Sequence, residues 1–379
     1  MAGALSGVRV VEFANYVSGP YAGMLLADLG ADVIKVETPG KGDPFRGWGR
    51  VEYSPTFGSV NRNKKSVCLD LKSGEGRGHA KALAKDADVV IENFRSGTME
   101  RLGLGYDVLR AENPGLIYCA ITGFGTDGPY AKRPGYDTVG QAMSGLLSLL
   151  TDIEDPKPMG ISLSDHLGGM VACNGILAAL VSRGKTGRGQ RVDTSLLEST
   201  LSFCGENAAN YFENGATPSR ATRTHRAQVY AFVDRDGKPF VVHLSSPNKF
   251  WEGLTRVVGK PEYLKDPRFA TKETRGKNYP ALREGLSAVF ATNTRDHWLE
   301  AMLKEDVPSA PLNNFDDVFN DPQVKHLKMR VDVPHKTMGT VALVRNGLRM
   351  SETPLEIHAP SPELGEHTDE VIAELGRRK

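Results

Sequence analysis

A strand pattern, a helix pattern and a second strand pattern follow one another at the start of this chain, and that order leaves few folds open. Val8–Phe13 (VRVVEF) is a short apolar run. Gly19-Pro20 opens the helical stretch YAGMLLADLG, which stops at Gly30, and Asp32–Val36 (DVIKV) is apolar again. Two strands joined through a helix run parallel, because the helix carries the chain back to the end where the first strand began. The alternation continues through a strand at Ser66–Leu71, an amphipathic helix at Gly74–Asp86 and a strand at Ala87–Asn93. Helical pieces within 95–113 and a strand at Leu116–Thr122 complete it. The expected class is α/β, with residues 1–200 forming a large, Rossmann-like open parallel-sheet domain.

The pattern changes beyond residue 200. ENGATPSRATRTHR is polar, so residues 201–225 read as a linker. Gln228–Val233 and Pro239–Leu244 flank Asp236-Gly237, the signature of a β-hairpin. Helical patterns at Asn248–Val258, Tyr279–Phe290 and Arg295–Glu305 follow, which predicts a smaller α+β domain over 226–325. A second linker is expected at 326–334. Gly339–Leu348 is strand-like, and a helix at His367–Leu375 ends the chain.

Formal charge is +1 over 379 residues, so neither nucleic acid nor a membrane surface is an expected partner. The four cysteines lie far apart with no CxxC pair, and the nine histidines show no HExxH spacing. No metal site is expected. A P-loop and a GxSxG elbow are absent. With no basic leader and no apolar run of about 18 residues free of charge, no spanning helix is predicted and the expected setting is the cytoplasm.

The most informative stretch is Gly160–Ser195. Asp165 stands before the glycine pair 168–169. An apolar helical run (Met170–Val181), a Gly- and cation-rich turn (Arg183–Gly189) and a strand (Arg191–Ser195) follow. Asp165 is expected at a helix N-terminus, where it serves either as a cap or as a chemical group. If capped, its oxygens are occupied; glycines 168 and 169 are expected to let the turn open and leave one free. Gly123–Gly128 fits GxGxxG after a strand, but Pro129 and Lys132-Arg133-Pro134-Gly135 follow where a dinucleotide site needs a helix. Arg133-Pro134-Gly135-Tyr136-Asp137 reads as a turn with a core tyrosine, or as part of a site. Asp137 is suited to cap a helix over Thr138–Leu150. Cations gather after strand ends and in loops: Asn61–Lys65, Lys72, Arg95, Arg101, and Lys41, Arg46 and Arg50 in the loop Glu37–Arg50. They fit either a solvated face or a phosphate-bearing ligand.

Taken together, VVEFANYVSGPYAGMLLADLGADVIKVE, NRNKKSVCLDLK, ENFRSGTMERLGLGYD, ITGFGTDGPYAKRPGYD and the Asp165 segment resemble the class III CoA-transferase family, of formyl-CoA transferase and carnitine CoA-transferase type. The resemblance spans the first 200 residues in order. It implies a CoA-transferase with no permanently bound cofactor, using an acyl-CoA thioester as co-substrate and a small carboxylic acid as acceptor. It implies Asp165 as the nucleophile, and a carboxylate with an ordinary pKa near ~3.9 is already ionised at neutral pH. Leu69, Lys72, Asn93, Phe94 and Arg101 match positions that contact CoA in the family. Tyr136 matches an active-site tyrosine. Asn15, Tyr16 and Val17 match the loop bordering the thioester. The resemblance also implies an interlocked homodimer of ring-shaped chains, with residues 335–379 completing the large domain.

Two departures bear on substrate. Oxalate-using members of the family carry glutamine where Val17 stands and arginine where Thr38 stands, and they have a glycine lid that is not found near 213–230. The chain therefore looks more like members that pair succinyl-CoA with small dicarboxylates. Arg46, Arg223, His225 and Arg226 are candidate partners for the acceptor carboxylate by charge. The family also includes α-methylacyl-CoA racemases, the alternative reading. They use a histidine where Tyr136 stands, and a phenol with a pKa near ~10 is a poor base at neutral pH.

Overall fold

The computed structural model describes residues 3–49, 53–245 and 248–375; Arg50 lies outside them. The chain divides into two compact units. One comprises the described residues of Met1–Leu147, Pro158–Glu206 and Gln323–Lys379, and the other those of Ser148–Lys157 and Asn207–Pro322.

The first unit is built on six parallel strands: β1 (Arg9–Phe13), β2 (Asp32–Glu37), β3 (Lys64–Cys68), β4 (Val89–Glu92), β5 (Ile117–Thr122) and β6 (Arg191–Ser195). Their order across the sheet is β3-β2-β1-β4-β5-β6. Alternate residues face opposite sides, and both sides are apolar, as a buried parallel sheet requires. Val10, Val33, Val89, Ile91, Ile117, Cys119 and Ile121 pack under the helices Ser18–Asp28 and Leu163–Thr186. Val11, Phe13, Ile34, Val36, Val90, Tyr118 and Ala120 pack under Gly74–Lys85 and under Val371 of the last helix, Thr368–Leu375.

The helix Leu163–Thr186 is long and apolar enough, by length and composition, to cross a membrane, contrary to expectation. It starts before Asp165, not after it, so the charges Asp165 and Arg183 fall near its two ends. Ala172, Cys173, Ile176 and Ala179 bury one face of it against the sheet.

The segment Asn61–Lys65 is not a free cationic cluster. Arg62 is buried and grips Asp28 through two hydrogen bonds, of 2.9 and 2.6 Å. Lys64 Nζ lies 2.8 Å from Glu12 Oε2 in the core. The Asn63 side chain holds the C-terminal segment: its Oδ1 accepts from the backbones of His358 and Ala359, and its Nδ2 donates to the Glu356 carbonyl. These polar contacts carry the chain's last part back onto the edge of the sheet. Here β3 begins at Lys64, two residues earlier than its apolar run, because the Lys64 head is neutralised inside.

In the second unit the hairpin forms at Val229–Val233 and Pro239–His243, and Ser309–Pro311 adds a third strand. Its core holds Tyr230, Phe240, Trp251, Leu282, Phe290 and Trp298. The stretch expected as a linker at 201–225 is helical, over Gly205–Asn214 and Arg220–Ala227. Arg220 binds Asp152 with two hydrogen bonds, which ties the short piece Ser148–Lys157 to this unit. The other expected linker is largely strand: Arg330–His335 pairs antiparallel with Gly339–Val344.

Candidate active site

Strand order reverses between β1 and β4, and in an open parallel sheet a ligand crevice forms outside the carboxyl ends of strands at such a point. A cleft of about 220 Å³ lies there. Its walls come from the loop after β1 (Asn15 to Ser18), the loop after β4 (Asn93 to Ser96) and the loop after β5 (Gly123, Ala131, and Arg133 to Tyr136), with Asp165 and Leu196. All of these residues belong to the first unit.

Asp165 reaches the cleft because its helix precedes β6. That helix runs opposite to the strands, so its first turn sits at their carboxyl ends. The glycine pair serves this placement. A methyl group on Gly169 would lie 2.7 Å from the Ser18 carbonyl, and one on Gly168 would lie 3.1 Å from Leu196. Gly169 admits close packing of Ser18 and Gly168 that of Leu196; they do not open the turn, which is regular helix. Nor does Asp165 cap the helix, since Ser162 holds that position. The Asp165 N–H donates to Asp137 Oδ1 at 3.1 Å. Its own carboxylate oxygens make no hydrogen bond among the described residues.

That isolation changes its chemistry. Burial, and then the negative charge of Asp137, push the Asp165 carboxyl up to about 7. The carboxylate is unpartnered among the described residues, and at neutral pH it is far from fully ionised, which corrects the expectation of an ordinary aspartate. If the carboxylate is the attacking species, kcat/KM for the acyl-CoA should rise with pH and level off above about 7. Asp137→Asn removes the neighbouring charge while keeping an oxygen for the Asp165 N–H. Its pH–rate profile should therefore be displaced to lower pH. A rising limb that stays in place would show that Asp137 does not set the carboxyl's ionisation.

The β1 loop is held rigidly. The side-chain amide of Asn93 brackets the backbone of Asn15: its Oδ1 accepts from the N–H at 2.9 Å, and its Nδ2 donates to the carbonyl at 2.7 Å and to Ser18 Oγ at 3.2 Å. Asn93 is thus a strut of the cleft, its amide largely committed to the protein. Tyr16 has φ of 64°, unusual for a residue with a side chain. Its N–H donates to Asp43 at 3.2 Å, and its ring meets Phe45 and Tyr136 edge-on, at 5.4 and 6.0 Å. Tyr136 is 61% exposed in the cleft mouth, not packed in a core. Phe94 donates its N–H to buried Glu92, whose carboxyl burial pushes up to about 8.

The remaining candidates fall elsewhere. Leu69 is buried after β3, and Lys72 and Arg101 are exposed beyond β3 and β4; none of the three lines the cleft. Arg101 donates to Thr98 Oγ1 at 2.9 Å. Arg46 is structural. It forms two hydrogen bonds of 2.7 Å to Glu37, donates to the Pro362 carbonyl at 3.0 Å and stacks over Phe57. Arg223, His225 and Arg226 lie on the helix Arg220–Ala227 of the second unit, where His225 stacks on Tyr279 and Arg226 donates to Asn210. The pairing of Asp137 with Asp165 is not visible in the sequence. Only its place in RPGYD hints at it, because the two carboxylates are 28 residues apart.

Residues 5–368 match the CoA-transferase family III. The chain belongs to that family. It is 38% identical over 384 residues to a succinate–glutarate CoA-transferase of Agrobacterium fabrum, covering 98% of this chain and 95% of that protein. It is 36% identical over 379 residues to a succinyl-CoA–D-citramalate CoA-transferase of Chloroflexus aurantiacus, covering 98% and 94%. The crystal structure of a CAIB/BAIF family protein from Brucella suis matches with a TM-score of 0.88 and 37% identity, over 99% of this chain and all of that one. This family III chain is a CoA-transferase, and an acyl-CoA is its co-substrate.

Proposed function

We propose that this CoA-transferase moves CoA from succinyl-CoA to a small dicarboxylate, with Asp165 as covalent carrier. The carrying observation is an Asp165 carboxylate without hydrogen-bond partners among the described residues, facing a cleft at the sheet's switch point. The relatives named for glutarate and D-citramalate support the substrate class.

In the proposed route an Asp165 oxygen attacks the thioester carbonyl, the C–S bond breaks, and CoA leaves as thiolate from an acyl-aspartyl anhydride. The thiolate attacks the aspartyl carbonyl, the anhydride C–O bond breaks, and the donor acid departs from an aspartyl-CoA thioester. The acceptor carboxylate then repeats both steps in reverse. The protein divides one difficult exchange into easier ones. Water must be kept out while anhydride or thioester exists, and the loops after β1, β4 and β5 enclose the carrier. No proton is moved in this sequence, so Tyr136 need not act as a base.

The test is a matrix of acyl-CoA donors against carboxylic acids, read by mass spectrometry. Succinyl-CoA with glutarate, malate, citramalate, itaconate or mesaconate should give the fastest transfer, and oxalate should be poor. Transfer confined to monocarboxylates would refute the substrate class.

The reading includes an interlocked homodimer. One stripe of the helix Leu163–Thr186, at residues 170, 171, 174, 178 and 181, is exposed, and Met170, Val171 and Val181 on it are apolar. Light scattering should give the mass of two chains at micromolar concentration; a single-chain mass would refute it.

A further inference from the structure

Asp165 makes the lining of the cleft acidic, and Asp137 adds a second carboxylate 3.1 Å from the Asp165 N–H. A dicarboxylate brings one carboxylate to Asp165 and a second that stays charged throughout the reaction. That second charge needs a cation inside the same walls, or it is repelled. Two cationic residues line the cleft among the described residues, Arg95 and Arg133. Neither makes a side-chain hydrogen bond or ion pair to the protein among the described residues.

The two differ in setting. Arg95 follows Phe94 in the β4 loop, which leads into the short helix Thr98–Arg101. Arg133 comes from the β5 loop and is preorganised. Its guanidinium lies 4.4 Å from the centre of the Tyr130 ring, and Tyr130 is braced edge-on by Phe124 at 6.0 Å. The Arg133 N–H also donates to the Tyr130 carbonyl at 2.9 Å. The loop is closed at its base, since a methyl group on Gly135 would lie 2.8 Å from Gly123 Cα. A guanidinium stacked on an aromatic ring keeps its edge N–H groups free, and that edge matches a carboxylate with two parallel hydrogen bonds.

We infer that Arg133 is the specificity determinant that binds the distal carboxylate of the dicarboxylic acyl group. The inference rests on the dicarboxylate reading above and assigns its recognition to one residue. Arg133 touches neither reacting carbonyl. It holds the far end of the chain, so it acts on donor and acceptor dicarboxylates alike.

The experiment compares glutarate with valerate, an acid of equal chain length without the second carboxylate, as acceptors from succinyl-CoA in wild type, Arg133→Leu and Arg133→Lys. Arg133 is exposed, so the leucine variant should fold, and a circular dichroism melt checks that it does. The ratio of kcat/KM for glutarate over valerate should fall about tenfold to a hundredfold in Arg133→Leu, as expected for loss of a charge-assisted hydrogen bond. Most of the fall should appear in KM for glutarate, and Arg133→Lys should restore part of it. An unchanged ratio in Arg133→Leu, with wild type still favouring glutarate, would overturn the role of Arg133. A wild-type ratio of one or less would instead overturn the dicarboxylate reading itself.

Discussion

Asp165→Ala should lower the exchange of labelled succinate into succinyl-CoA by at least about 10³-fold, the scale on which loss of a covalent nucleophile is felt. The fold should survive, because the carboxylate holds no hydrogen bond that alanine would break. Stability should even move the other way at high pH. A carboxyl whose folded pKa is raised from 3.8 to about 7 binds its proton more tightly in the folded state. Its ionisation therefore costs stability progressively as pH rises across that interval, and the full cost is present above it. Alanine has no such cost. The difference in melting temperature, variant minus wild type, should become more positive from pH 5 to pH 8. A variant with near-normal turnover would remove Asp165 as carrier; one whose melting difference does not grow with pH would remove the raised carboxyl.

The same step leaves an isotopic mark. When an acceptor labelled with oxygen-18 attacks the aspartyl thioester, one of its oxygens bridges the anhydride. Thiolate attack at the acceptor carbonyl then breaks the bond on the acceptor side, and the bridging oxygen stays on Asp165. Peptide mass spectrometry of the wild-type enzyme after turnover should find that oxygen on the peptide carrying Asp165. Direct attack of acceptor on donor would leave the peptide unlabelled.

Much of the scaffold was legible because it is written in local periodicity. The runs VRVVEF, DVIKV and LIYCAIT are short, apolar and bounded by breakers, and each became a central strand with both faces buried. The elements that failed depend on distant partners. Arg62 and Lys64 looked like surface cations; they are interior groups because Asp28 and Glu12, 34 and 52 residues away, neutralise them. The linker expected at 201–225 was read from the polar stretch ENGATPSRATRTHR, yet Gly205–Asn214 and Arg220–Ala227 form helices. Ser309–Pro311 is too short and too proline-marked to read as a strand without the hairpin edge it joins. At the site, Asp165 was identifiable from its surrounding motifs, but its ionisation was not. That depends on how close Asp137 comes and on the packing that Gly168 and Gly169 permit.

Lys35→Met should destabilise the fold strongly, because it empties the centre of a buried charge cluster. Lys35 is fully buried, with Nζ 2.9 Å from Glu12 Oε1, 2.9 Å from Asp43 Oδ2 and 2.7 Å from the Ala14 carbonyl. Burial works against its charge, but Glu12 and Asp43 outweigh it and hold the ammonium protonated. Methionine fills the space and leaves Asp43 without a cation in the core, a loss of about 3–5 kcal/mol. Lys65→Met removes solvent-accessible pairs with Glu370 and, more distantly, Asp32, and should cost less than about 1 kcal/mol. Urea titration of the two variants measures the contrast. The double variant Lys35→Met/Asp43→Asn should recover part of the loss, since the orphaned charge is then gone. Activity carries a second readout. Asp43 receives the N–H of Tyr16, whose left-handed backbone is held by that bond and by the packing of its ring. The folded fraction of Lys35→Met should therefore turn over more slowly than wild type although no group in the cleft has been altered. Equal turnover per folded molecule would show that the β1 loop keeps its shape without the buried charges beneath it.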